Sequence, residues 1–190
     1  MHIYFSTNAI PAENWERIHE YLDEFEGEIG LEIFPEYHKP CFEGALRKEL
    51  AYLEQMPCSL HGPYYESEYA VAGDSEEFRH SVELLRKTLE EVAPLHVSYM
   101  VYHHSNMVIR EEEKAQRLAY ARENYETVRK ICEEYGVPPV VENVTLGTLH
   151  KGLFSQEEFI AECKKLGCKV LIDIGHCNLS GWNIPELIKI

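Results

Sequence analysis

A chain of 190 residues, 45% of them apolar, is long enough to bury a substantial core, and no Gly/Ser-rich linker or break in composition divides it, so residues 1–190 read as a single domain. A formal net charge of −15 disfavours nucleic-acid partners, because affinity for a phosphate backbone comes mainly from Lys and Arg. The N-terminus has no basic stretch ahead of a long apolar one, and no run reaches transmembrane length, which predicts a cytoplasmic protein without a membrane partner.

The first apolar run, near residues 2–6, predicts a strand, and residues 12–27 predict a helix with Trp15, Ile18, Leu22 and Phe25 on one face. A second strand at 31–34 precedes a helix carrying Phe42, Leu46, Leu50 and Leu53. The third strand ends at His61, and a polar, aromatic loop over 62–73 leads into the acidic helix start Asp74-Ser75-Glu76-Glu77. Phe78, Val82, Leu85, Leu89 and Val92 continue that helix. The fourth strand follows Pro94 and reaches His103. A long charged helix over about 111–135 buries Leu118, Ala121, Tyr125, Val128, Cys132 and Tyr135, then stops at Gly136 and the Pro138-Pro139 pair. A fifth strand ends at Glu142, a helix spans about 155–166, and a sixth strand runs from 169 to 173. Residues 182–190 begin another helix with Pro185 in its first turn. Six cysteines, at positions 41, 58, 132, 163, 168 and 177, form no C-x-x-C pair and read as reduced core thiols.

Alternating strands and helices mean a parallel sheet of the α/β class. A doubly wound sheet would need a glycine-rich phosphate loop after its first strand, and Ser6-Thr7-Asn8-Ala9 is not one. Units of about thirty residues suit a (β/α)8 TIM barrel, which takes roughly 250 residues for eight of them. This chain holds six, so the expectation is an incomplete barrel lacking the last two units. A homo-oligomer that covers the open barrel edges is one way to close it.

His61, His103, Glu142 and Asp173 each terminate an apolar run, and His176 follows Asp173 by one helical turn. Ligands gather beyond the carboxyl ends of strands in such folds, and side-chain alternation lets these four point inward together. Each has an ordinary reading when taken alone: a strand-end carboxylate, a turn-capping Asp, a core or surface histidine. Together they favour one divalent-metal site with imidazole and carboxylate ligands, suited to zinc or manganese foremost and compatible with magnesium or cobalt. Glu32 is balanced between an inward carboxylate near the substrate and a salt-bridge partner on the helix side. Tyr64, Tyr65 and Trp182 either shape a substrate pocket or cover the core. His2, His19, His38, His80, His96 and His150 have no comparable setting.

These segments resemble the xylose isomerase-like TIM-barrel superfamily, which contains sugar isomerases and epimerases as well as endonuclease IV. Gly30-Leu31-Glu32-Ile33-Phe34 resembles its second-strand motif, Leu60-His61-Gly62-Pro63-Tyr64 its H-x-P-Y pattern, and Val101-Tyr102-His103-His104-Ser105 its V-x-H-P-G pattern. His104 stands where proline is usual, and strand alternation and the alignment both choose His103 as the ligand. Val141-Glu142-Asn143 is similar to the fifth-strand acidic motif, and Asp173-Ile174-Gly175-His176 to D-x-x-H. The resemblance implies a metal-dependent isomerase or epimerase acting on a sugar or sugar phosphate by proton transfer through an enediolate. Glu142 would be both ligand and base, and His176 a ligand or a substrate contact. Further ligands on the seventh and eighth strands have no counterpart here. The alternatives are an endonuclease IV-like multi-zinc phosphodiesterase and a catalytically degenerate binding module.

Overall fold

The computed structural model describes residues 3–25, 28–144 and 152–189. His2, Glu26, Gly27, His150 and Ile190, each part of an expectation above, lie outside them. Six parallel strands form one sheet in chain order: β1 (Ile3–Ser6), β2 (Ile29–Ile33), β3 (Cys58–His61), β4 (Val97–Tyr102), β5 (Pro139–Glu142) and β6 (Lys169–Leu171). Among the described residues β1 and β6 each pair with a single neighbour, so the sheet is an open, partial barrel.

Alternation along the strands gives the sheet two unlike faces. Leu31, Ile33, Leu60, Met100, Tyr102 and Val141 are buried in the main core with helix residues Phe42, Leu46, Leu85, Leu89, Val128 and Phe159. Each such side chain contributes about 1.5–3 kcal/mol by leaving water. The opposite face carries Ser6, Glu32, His61, Val101, His103 and Glu142 and lines a cleft. Hydrophobic patterning therefore commits one face to folding and leaves the other free for polar groups.

The helices are α1 (Ile18–Leu22), α2 (Phe42–Leu53), α3 (Glu76–Glu91), α4 (Lys114–Glu134), α5 (Gln156–Leu166), α6 (Ile174–Ser180) and α7 (Ile184–Leu187). Ser75 caps α3 by accepting from the Phe78 N–H at 3.1 Å. Ser155 and Glu158 form a capping box on α5, and Gly167 closes that helix in the left-handed region at φ 60°.

The helix expected over 12–27 is instead three short pieces: 3-10 turns at Ala12–Arg17 and Asp23–Phe25 flank α1. Asn14 leaves helical geometry at φ −123° and ψ 25°, and the tighter last turn rewinds the chain. Trp15, Ile18 and Leu22 remain buried, but Phe25 is 44% exposed. The helix expected from 111 starts at Lys114 because residues 111–113 form a turn. Strand β6 stops at Leu171 rather than Asp173, since the Asp173 N–H donates to the Asn143 side chain at 2.6 Å instead of to a strand ladder. All six cysteines are free. Among the described residues no helix is long and apolar enough to cross a membrane.

Candidate metal centre

Register brings the strand ends together: Val101 is level with both His61 and Val140, Tyr102 with Val141, and Glu142 with Leu171. A cleft of about 400 Å³ opens there, lined by His61, His103, Glu142, Asp173 and His176 together with Glu32, Tyr64 and Tyr65. Ser6, Asn8 and Phe34 also line it, and nothing in the sequence singled them out.

Glu142 is the hub. Its Oε2 lies 2.8 Å from His103 Nε2 and 3.9 Å from His61 Nε2, and its Oε1 lies 3.2 Å from His176 Nδ1. Burial pushes the carboxyl pKa up, but hydrogen bonds from His103 and His176 and the nearby imidazoles outweigh it and bring the value down to about 2. Burial, reinforced by His103, pushes the His61 pKa down to about 4. His61 is therefore a neutral imidazole near neutral pH, the form that ligates metals.

The far nitrogens of both histidines are engaged. His61 Nδ1 donates to the Gly62 carbonyl at 2.7 Å, and His103 Nδ1 donates to Asn106 Oδ1 at 2.8 Å. With each Nδ1 engaged, both Nε2 atoms are turned toward the Glu142 carboxylate, a geometry in which a proton or a cation must stand between nitrogen and oxygen. Candidate donor atoms of His61, His103 and Glu142 lie within 4.8 Å of one another. This buried set of two nitrogens and an oxygen fits a divalent ion of the zinc or manganese type.

A second candidate group, Glu142, Asp173 and His176, shares Glu142 with the first. Asp173 has a structural duty, because its Oδ1 caps α6 by accepting from the His176 N–H at 2.6 Å. The His176 Nδ1 lies 3.0 Å from the Asn143 carbonyl as well as near Glu142, so it acts as a hydrogen donor that orients the carboxylate. That contact with Glu142 raises the His176 pKa. Asn143 ties β5 to the segment after β6: its amide accepts from the Asp173 N–H and donates to the Asp173 carbonyl at 3.1 Å and to Cys177 Sγ at 3.2 Å.

Glu32 faces the cleft, and burial raises its pKa against the opposing effect of a Ser6 hydrogen bond. Tyr64 flanks both His61 and His103, with ring centroids at 6.3 and 5.8 Å. Trp182 is set apart from the other candidates: its ring packs on Phe159 at 5.7 Å, and it lines a separate small cavity behind Glu142. Nothing in the residue pattern distinguishes that packing from a pocket contact.

His104 points away from the centre. It is buried among Tyr102, Tyr125 and Phe154, and neither ring nitrogen has a hydrogen-bond partner among the described residues. Burial pushes its pKa down to about 4. An unpaired buried polar group costs about 1–3 kcal/mol, so His104→Phe is expected to raise stability by about 1 kcal/mol, read by urea denaturation. Zinc affinity should stay unchanged in the same variant.

A D-tagatose 3-epimerase-like protein superposes with a TM-score of 0.77 at 18% identity, covering 100% of this chain and 70% of its own. The IOLI protein with a zinc atom matches at TM-score 0.71 and 19% identity, covering 100% of this chain and 69% of its own. D-psicose 3-epimerase, solved in the presence of D-fructose, matches at TM-score 0.66 and 17% identity over 99% of this chain and 68% of its own. At these identities the likeness is one of fold. No curated protein matches the chain by sequence. The model of one family, however, matches residues 30–189, and with the strand order and strand-end residues already described it establishes that the chain belongs to the xylose isomerase-like TIM-barrel family.

Proposed function

We propose that this protein is a divalent-metal-dependent isomerase or epimerase acting on a sugar or sugar phosphate. The observation that carries the reading is the convergence of His61, His103 and Glu142 on one buried point in a cleft of sugar size. The fold likeness to proteins titled as tagatose and psicose 3-epimerases supports it. This reading takes residues 1–190 as one barrel-type domain with a small-molecule sugar as its partner.

His61, His103 and Glu142 would hold the ion, with Asp173 beside them, and a bound ion supplies Lewis acidity to the carbonyl and hydroxyl oxygens of a ketose. Glu142 is ionised across the whole neutral range and is the carboxylate placed to take a proton from the carbon next to the carbonyl. His176 holds that carboxylate in orientation. Glu32 and Tyr64 line the cleft, where a carboxyl and a phenol can bond sugar hydroxyls. The aromatic wall of Phe34, Tyr64 and Tyr65 offers rings on which the C–H face of a sugar packs.

The test is metal analysis of protein purified without added ions, followed by NMR detection of deuterium exchange at the carbon next to the carbonyl of ketoses in D2O. Retained metal together with exchange is expected. Metal bound without exchange on any sugar would favour a binding module.

A second reading has its own observation. Two candidate groups share Glu142, whose Oε2 faces His61 and His103 and whose Oε1 faces His176, and room for more than one ion favours an endonuclease IV-like phosphodiesterase. Stoichiometry separates the two: a single ion supports the isomerase, and several zinc ions support the phosphodiesterase.

A further inference from the structure

We infer that Asn106 is a positioning residue that fixes which nitrogen of His103 faces the metal centre and couples that choice to the loop carrying Tyr64. The inference rests on the metal-site reading above.

The two ends of the Asn106 amide are distinguished by their surroundings. One end is 3.3 Å from the Tyr64 carbonyl, 3.2 Å from the Ser67 carbonyl and 3.4 Å from Ser67 Oγ. Carbonyl oxygens only accept, so this end must be the NH2 group. A flipped amide would set its oxygen against two other oxygens. Oδ1 is thereby turned to His103 Nδ1 at 2.8 Å, and it too only accepts, so Nδ1 holds a proton. The remaining ring nitrogen, Nε2, is left beside Glu142 Oε2.

Asn106 is itself anchored. Its backbone N–H donates to Glu68 Oε2 at 2.8 Å, and Glu68 Oε1 accepts from the Ala70 N–H at 2.9 Å. Ser81 of α3 grips the Glu68 backbone, accepting from its N–H at 2.8 Å and donating to its carbonyl at 3.0 Å. Ser67 Oγ also donates to the Pro63 carbonyl. Within this loop Glu66 holds φ at 62°, the sole positive φ outside glycine among the described residues. Such a conformation persists where its surroundings impose it.

The contrast with His61 sharpens the assignment. The His61 Nδ1 bonds a backbone carbonyl of the adjacent residue, whereas His103 depends on a side chain three residues on. His103 is thus the ligand whose orientation one substitution can release. A continuous chain of hydrogen bonds runs from α3 through Glu68 and Asn106 to His103, whose Nε2 faces Glu142.

The test uses the full chain with zinc alone as probe, titrated by calorimetry, and 15N NMR of the histidine ring nitrogens before and after zinc is added. His103 Nδ1 should carry a proton in both states. Asn106→Ala should weaken zinc binding roughly 10- to 100-fold, the usual effect of losing an outer-sphere partner, and should let the metal-free ring populate the other tautomer. Ser67→Ala, which loosens the same loop but spares the His103 partner, should stay within about threefold of wild type.

Equal zinc affinity in Asn106→Ala would overturn the inference, as would an equal loss in Ser67→Ala, which would indicate loop anchoring alone. If Asn106→Ala fails to fold, the wild-type spectrum still decides, since an unprotonated Nδ1 would refute the assignment. A wild-type protein that binds no zinc would sink the metal reading instead, and the metal-free spectrum would then judge Asn106 separately.

Discussion

Glu142→Gln is expected to lower zinc affinity by at least about 100-fold, because it removes the buried anion from the ligand set while keeping the side chain's volume. The amide can still hydrogen-bond to His103 and His176, but it carries no charge to offset that of an ion. Titration calorimetry reads the loss directly, and an unchanged affinity would refute the metal centre.

The same carboxylate has a signature in the metal-free protein. Its pKa is about 2 in the fold against an ordinary 4.5, so its contribution is fully present above pH 4.5 and is lost as pH falls through about 2. That depression corresponds to roughly 3 kcal/mol. Wild-type stability should fall over that window, and Glu142→Gln should start lower and show less of the fall. Urea denaturation across the acid range would test this, and parallel curves for the two proteins would contradict it.

Gly30→Ala is expected to cost about 3 kcal/mol or more, a large share of the roughly 5–15 kcal/mol that holds a typical domain folded. A Cβ at Gly30 would lie 2.2 Å from the Pro57 carbonyl oxygen and 2.9 Å from two ring carbons of Tyr4. The Tyr4 ring could turn aside, but the Pro57 oxygen is backbone and accepts from the Leu31 N–H at 3.1 Å. Strand β2 lies between β1 and β3, so moving it disturbs both pairings. Gly44→Ala is the matched control: in α2, with nothing within 4 Å of the added carbon, it should gain about 1 kcal/mol. A urea midpoint for Gly30→Ala equal to wild type would show that β2 can shift without penalty.

The alternation of elements was legible because each depends on a local repeat that burial then enforces. Leu85 and Leu89 of α3 and Leu60 of β3 lie where periodicity puts them. The strand-end residues were legible for a related reason: a polar ligand type closing an apolar run has few places to go in a parallel sheet. What escaped were features set by contacts between distant segments. Asn106 reaches Tyr64 and Ser67 across two loops, and Asn143 reaches Asp173 across thirty residues of chain. Neither contact leaves a periodic trace. Phe25 escaped in the opposite way and Trp182 stayed open between pocket and core, since an aromatic residue near a chain bend carries no mark of which side it will face. His104 and His103 are adjacent and alike in type, and strand alternation together with the family resemblance picked His103 as the ring that faces the cleft.

The division of labour between the two sheet faces has an evolutionary consequence. Most of the apolar burial that holds the strands together lies between the sheet and its helices, while the cleft side is furnished with Ser6, Glu32, His61 and Glu142. Exchanging cleft residues therefore removes little of the packing on which folding depends. A scaffold arranged this way can trade one chemistry for another at its rim with its architecture undisturbed, and selection acting on substrate choice is decoupled from selection acting on foldedness.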